Sequence, residues 1–201
     1  EDGSVARIPD SLTTVFHTAA GREVRDGGGV SPDIEVKQER LPNILFYLVR
    51  DNLIFDYATD YCLKHPAIAS AKEFELTDAD YEEFKNKVKG ADFKYDQQSE
   101  KILNTLKEAA EFEGYMKDAS DEFKALENKL KHNLDRDLDY FSKDIKKMIA
   151  EEIIKRYYYQ EGAIIQQLKD DKDLDEAVKV LTNPERYQQI LSVTAVTAKK
   201  E

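Results

Sequence analysis

Apolar residues recur at three- and four-residue steps along most of the chain, and that spacing predicts helices. From about Leu41 to Lys64, Ile44, Leu45, Leu48, Val49, Leu53, Ile54, Phe55, Ala58, Tyr61 and Cys62 cover more than half of a helix's circumference. Such a helix belongs at the centre of a fold. His65-Pro66 ends it, because the residue before proline avoids the helical region. Thr77 with Asp80 reads as a capping box, and Leu76 and Tyr81 as a hydrophobic staple, for a helix carrying Phe84 and Val88 to a stop at Gly90. A further helix starts near Asp96 and carries Ile102, Leu103, Leu106, Ala109 and Ala110. Gly114 weakens it before a break at Asp118-Ala119-Ser120. The longest periodic run follows: Phe123, Leu126, Leu130, Leu134, Leu138, Phe141, Ile145, Met148 and Ile149 predict one helix of about 10 turns ending near Tyr159.

The steps of four in that run drift around the helix, which favours packing inside a single-chain bundle over a coiled-coil seam. Leu134 and Leu138 are both predicted at its buried centre. Gly162 marks a kink, Asp170 to Asp173 a polar turn, Asp173 with Glu176 a capping box for a helix to Leu181, and Asn183-Pro184 the start of a last helix through Leu191. Residues 1 to 9 and 192 to 201 read as polar tails. The predicted fold is mainly α: a multi-helix bundle with one long central helix.

One stretch departs from the helical period. Val15 to Thr18 has strand character, Ala20-Gly21 offers a turn, and Glu23-Val24 resumes an extended run. Gly27-Gly28-Gly29 supplies a bend and Pro32 leads into a last short strand, Ile34 to Val36. On spacing alone this is a β-hairpin with a glycine bend. Lys37 to Arg40 is a charged hinge, which divides the chain into residues 1–37 and a helical domain over 38–201.

The order of residues in that stretch carries more. Thr18-Ala19-Ala20-Gly21-Arg22, followed by Gly27-Gly28-Gly29-Val30-Ser31-Pro32-Asp33, resembles the end of the peptidase domain in the C-terminal processing, or tail-specific, serine peptidases. The match covers about residues 10 to 36. The resemblance implies a parent that cleaves proteins near their C-termini with a serine activated by a lysine, beside a PDZ domain that holds the substrate's tail. It also implies export, to the periplasm or cell envelope. Nucleophile, lysine and PDZ domain all belong upstream of the Gly-Arg segment. The chain therefore reads as a C-terminal fragment, inactive alone, whose helical domain supports the protease or joins it to other subunits. Substrates would be proteins or peptides engaged through those upstream domains, and the N-terminal strands could pair between copies as a homo-oligomer. A free-standing helical protein-interaction module is the alternative.

Composition narrows the partners. The net charge is -11, with 35% charged and 41% hydrophobic residues. A phosphate track needs clustered Lys and Arg, so nucleic acid is an unexpected partner. Anionic membrane surfaces are disfavoured for the same reason, and the apolar run Ile44 to Val49 is too short to insert in a bilayer.

Candidate chemistry is thin. No serine has lysine three positions later, and no Gly-x-Ser-x-Gly elbow occurs. Asp135-x-Asp137-x-Asp139 and Asp171-x-Asp173-x-Asp175 look like calcium-loop openings but lack the glycine at position six and the glutamate at position twelve. His17, His65 and His132 are scattered without zinc-site spacing. The glycine triplet lacks the lysine of a phosphate loop. Cys62 reads as a small buried hydrophobe, and Tyr157-Tyr158-Tyr159 as core fill and rim. The sequence thus assigns no catalytic, cofactor-binding or metal-ligating residue and no cofactor.

Overall fold

The structure is a computed structural model that describes residues 12–26, 32–37 and 40–192. The glycine triplet and most of both predicted tails lie outside the described residues. The chain divides into two compact units, one of Glu39–Lys169 and one of Glu1–Gln38 with Asp170–Glu201.

The first unit is all helical and holds α1 (Asn43–Arg50), α2 (Leu53–Lys64), α3 (Asp78–Gly90), α4 (Gln98–Phe112), α5 (Ser120–Leu130), α6 (Leu134–Tyr140) and α7 (Ser142–Gln167). Its core joins Ile44, Leu45 and Leu48 of α1, Ile54 and Tyr57 of α2, Phe84 and Val88 of α3, Leu138 of α6, and Ile145, Ile149, Ile153 and Ile154 of α7. The long helix α7 packs along α2. Each fully buried Leu, Ile or Phe contributes about 1.5–3 kcal/mol, so this apolar seam sets the stability of the unit.

Local chemistry explains the helix ends. Thr77 caps α3 as predicted: its Oγ1 accepts from the Asp80 amide at 3.1 Å, and the Asp80 carboxylate accepts from the Thr77 amide. Asn133 caps α6 by accepting from the Arg136 amide, and Asn183 accepts from the Arg186 amide to cap the helix Pro184–Leu191.

Two predicted helices are broken. Leu41–Lys64 is interrupted at Asp51-Asn52, where Asn52 takes φ 58°, a left-handed conformation its short amide tolerates. The break leaves Val49 and Phe55 half-exposed on the outside, with the Arg156 guanidinium 4.7 Å above the Phe55 ring. The predicted ten-turn helix is three. It stops after Leu130, where Asn133 diverts its side chain to a cap, and again at Phe141. Leu138 is fully buried, but Leu134 only partly so, and Leu126 faces solvent because it belongs to the α4–α5 hairpin. The kink near Gly162 falls at Tyr159 (φ 55°, ψ -153°).

The second unit holds β1 (Val15–His17), β2 (Glu23–Arg25), α8 (Lys172–Leu181) and α9 (Pro184–Leu191). Asp171, not Asp173, caps α8, accepting from the Leu174 amide at 2.9 Å. Ile34–Val36 forms no strand: β1 and β2 make a two-stranded sheet, and residues 34–36 lie beside charged side chains of α8, which offer no ladder.

Candidate functional site

A hairpin lies at the centre of the described residues of the N-terminal stretch. β1 and β2 pair antiparallel, with Val15 opposite Arg25, Phe16 opposite Val24 and His17 opposite Glu23. At the turn the Thr18 amide donates to Arg22 O (2.9 Å), the Gly21 amide to Thr18 O (2.8 Å) and the Arg22 amide to Thr18 Oγ1 (3.1 Å). Gly21 sits at φ 81°, where a β-carbon would strain the backbone. At the open end the Thr14 amide donates to Asp26 Oδ1 at 2.7 Å.

Arg22 also bonds Asp33, 11 positions on in the chain. Its Nη1 donates to Oδ2 at 3.3 Å and its Nη2 pairs with Oδ1. A two-pronged guanidinium–carboxylate pair fixes orientation as well as proximity. Thr18, Gly21, Arg22 and Asp33 are therefore one hydrogen-bonded latch. His17 is exposed, and the Glu23 carboxylate in the opposite register position bonds Arg25 Nη2 at 2.9 Å.

In the helical unit the polar groups face structural partners. The three carboxylates of α6 diverge: Asp135 pairs with Lys89, Asp139 with Lys85 (2.7 Å), and Asp137 turns inward. Alternate residues on a helix point about 200° apart, so they cannot converge on one cation. In the second unit, Asp171 of the other calcium-like run is spent as the cap of α8. Among the described residues no group of three or more His, Cys, Asp or Glu could hold a metal ion.

Asp137, only 6% exposed, is the polar node of this unit. It accepts from Tyr95 Oη at 2.5 Å and from Gln97 Nε2 at 2.9 Å. Burial, and then the hydrogen bond to Asp137, holds the Tyr95 hydroxyl well above its ordinary pKa. His132 sits edge-on to Tyr95 at 4.6 Å, in the joint between α5 and α6. The sequence gives no sign of this cluster, whose members lie about 40 positions apart in the chain.

The remaining candidates serve packing. Cys62 lies half-buried against the core beside Tyr157, whose hydroxyl is pushed up to about 12 by burial and by Cys62. Tyr157 also donates to His65 O, and Tyr158 to Ala69 O at 3.1 Å, so both tie α7 to the segment after α2. Tyr159 points to solvent. His65 stacks on Tyr61 at 4.0 Å. A cleft of about 180 Å³ between α2 and α3 is bridged by Lys64–Glu83 (2.9 Å) and Lys87–Asp60 (2.5 Å), so its charges cancel in pairs. No described helix is long and apolar enough to cross a membrane.

Compared with known proteins, residues 44–181 match a family described as "Probable PDZ-protease, C-terminal helical domain". That span is more than half of the chain and runs from α1 to the end of α8. Neither the curated proteins nor the solved structures give a match.

Proposed function

Because the chain belongs to the family of C-terminal helical domains of probable PDZ-proteases, we propose that it is the C-terminal region of an exported Ser/Lys peptidase that cleaves proteins near their C-termini. The helical body is a protease-associated domain. In this reading residues 1–37 close the peptidase domain, and the helical domain supports the catalytic part and carries no nucleophile of its own.

One observation carries the finer reading. The Thr-x-x-Gly-Arg and Pro-Asp elements lie within residues 10–36, whereas the family match begins at residue 44. Two segments with no residue in common point to the same kind of enzyme. The latch supports the first of them physically, since the residues that carry the resemblance bond to one another.

The reading is tested first in the reading frame upstream of Glu1. A PDZ domain and a serine–lysine pair are expected there, and a frame that encodes neither overturns it. The full-length enzyme should cut an unstructured protein with an apolar C-terminus and stop when the upstream serine becomes alanine. The 201-residue chain alone should cut nothing. Cell fractionation should place the full-length protein in the periplasm or envelope; a purely cytoplasmic protein would remove the export claim.

A further inference from the structure

The helices α8 and α9 turn the wrong face outward. Lys172, Asp175, Glu176 and Lys179 line a cleft of about 340 Å³ with Ile34 and Val36, so the charged side of α8 faces its own unit. At about 100° per residue, Leu174, Val178 and Leu181 project from the opposite side. They are 42%, 50% and 69% exposed, and Tyr187 and Leu191 of α9 are about two-fifths exposed. Neither helix has a buried residue. The hairpin of the same unit likewise leaves Phe16 and Val24 at 52% and 40%. A helix pair whose apolar side is open is a candidate interaction surface.

We propose that this face is covered by the peptidase domain of the same polypeptide, so that α8 and α9 form a strap returning from the helical body to the protease. The inference rests on the reading of the chain as a peptidase C-terminus. Size decides between this occupant and a second copy. Helices of 10 and 8 residues are about 15 and 12 Å long and side by side offer roughly 300 Å². Stable association between separate chains takes about 800 Å² per partner. A patch this small holds only a tethered partner, for which the linker supplies an effective concentration of order millimolar. The unit's composition names that partner, because the strap shares its unit with the hairpin that would border the peptidase sheet. The helical body then leaves the peptidase near residue 38 and rejoins it at α8. Two tethers fix its orientation where one would let it swing.

Hydrogen exchange on full-length protein over a dilution series tests this, beside the 201-residue chain and full-length Val178→Lys. Peptides spanning 172–191 should exchange at least about tenfold slower in the full-length protein than in the 201-residue chain, at every concentration. V178K should abolish that protection and leave the α2–α7 core unchanged. Equal exchange in the full-length protein and the 201-residue chain overturns the strap, even when the enzyme is active. Protection that grows with concentration, with doubling of the mass, assigns the face to a second copy and also overturns it. A reading frame without a peptidase domain defeats the parent reading instead, and is seen before any exchange is measured.

Discussion

Three glycines in the helical unit differ in surroundings or in backbone conformation, and replacing each by alanine separates packing from backbone strain. Gly162 is buried in α7, three positions after the non-helical Tyr159. A β-carbon there would overlap Tyr158 Cβ and stand 2.8 Å from Ile154 Cγ2. Neither atom is the free end of a flexible chain, and Ile154 is fully buried. Alanine gains up to about 1 kcal/mol over glycine in a helix interior, but overpacking costs typically 1–3 kcal/mol. The net expectation for Gly162→Ala is a loss of roughly 1–2 kcal/mol.

Gly90 closes α3 with ordinary backbone angles, and nothing stands within 4 Å of its would-be β-carbon. Gly90→Ala should therefore gain about 0.5 kcal/mol, a fraction of the interior value because the position is terminal. Gly114 has the same open space but φ 84°, so Gly114→Ala should lose about 1 kcal/mol through backbone strain alone. At about 2–4 °C per kcal/mol, circular dichroism melts resolve the order: G90A above the parent, G114A and G162A below. A G162A variant melting at or above the parent would refute the close approach of Gly162 to Ile154. A destabilised G90A would show that the end of α3 is packed.

Leu138→Ala should cost about 2–5 kcal/mol because Leu138 is fully buried; Leu134 is only partly buried against the core, so Leu134→Ala should cost less, and equal melting shifts would refute its shallower burial. Asp137→Ala strips the buried acceptor from Tyr95 and Gln97 and should cost roughly 2–4 kcal/mol in urea unfolding; a change under about 0.5 kcal/mol would mean water serves the node. Tyr57, Tyr81 and Tyr95 are each raised, first by burial and then by nearby carboxyl groups. Their neutral form is favoured by folding, so stability is full below the unfolded value of about 10 and falls as pH rises through the folded values. Phenolate absorbance should show a late-titrating group that vanishes in urea, and a single transition near pH 10 would contradict it.

Capping chemistry was readable in sequence where the local signal stood alone, at Thr77 and Asn183, and was misplaced by two residues at α8, where Asp171 caps in place of Asp173. Thr77 with Asp80, and Asn183 with Pro184, act within three or four residues, so spacing contains the whole interaction. The helix breaks at Asn52 and Asn133 were not readable from apolar period. The three- and four-residue steps continue across them, and the sequence carries only an asparagine, which a helix also accepts at modest cost. The period registers which residues are apolar, not which neighbour each one meets. Leu126 and Leu138 therefore look equivalent in sequence, although the first belongs to the α4–α5 hairpin and the second to the core.

The polar groups divide along the same line. That Asp135, Asp137 and Asp139 diverge follows from helical geometry once α6 is known, whereas the choice of Tyr95 and Gln97 as partners of Asp137 needs tertiary structure. The N-terminal latch lies between these cases. Arg22 and Asp33 are 11 positions apart, too far for a local rule, yet the sequence made them conspicuous because the Thr-x-x-Gly-Arg and Pro-Asp elements come in a fixed order. The hydrogen bonds give that order a physical cause. Thr18 sets the turn, Gly21 takes the positive φ within it, and Arg22, the residue before β2, meets the Asp33 carboxylate. A glycine bend with other flanking residues would still make a hairpin, but it would not bring a guanidinium to the carboxylate after the proline, and this coupling separates the latch from an ordinary β-hairpin.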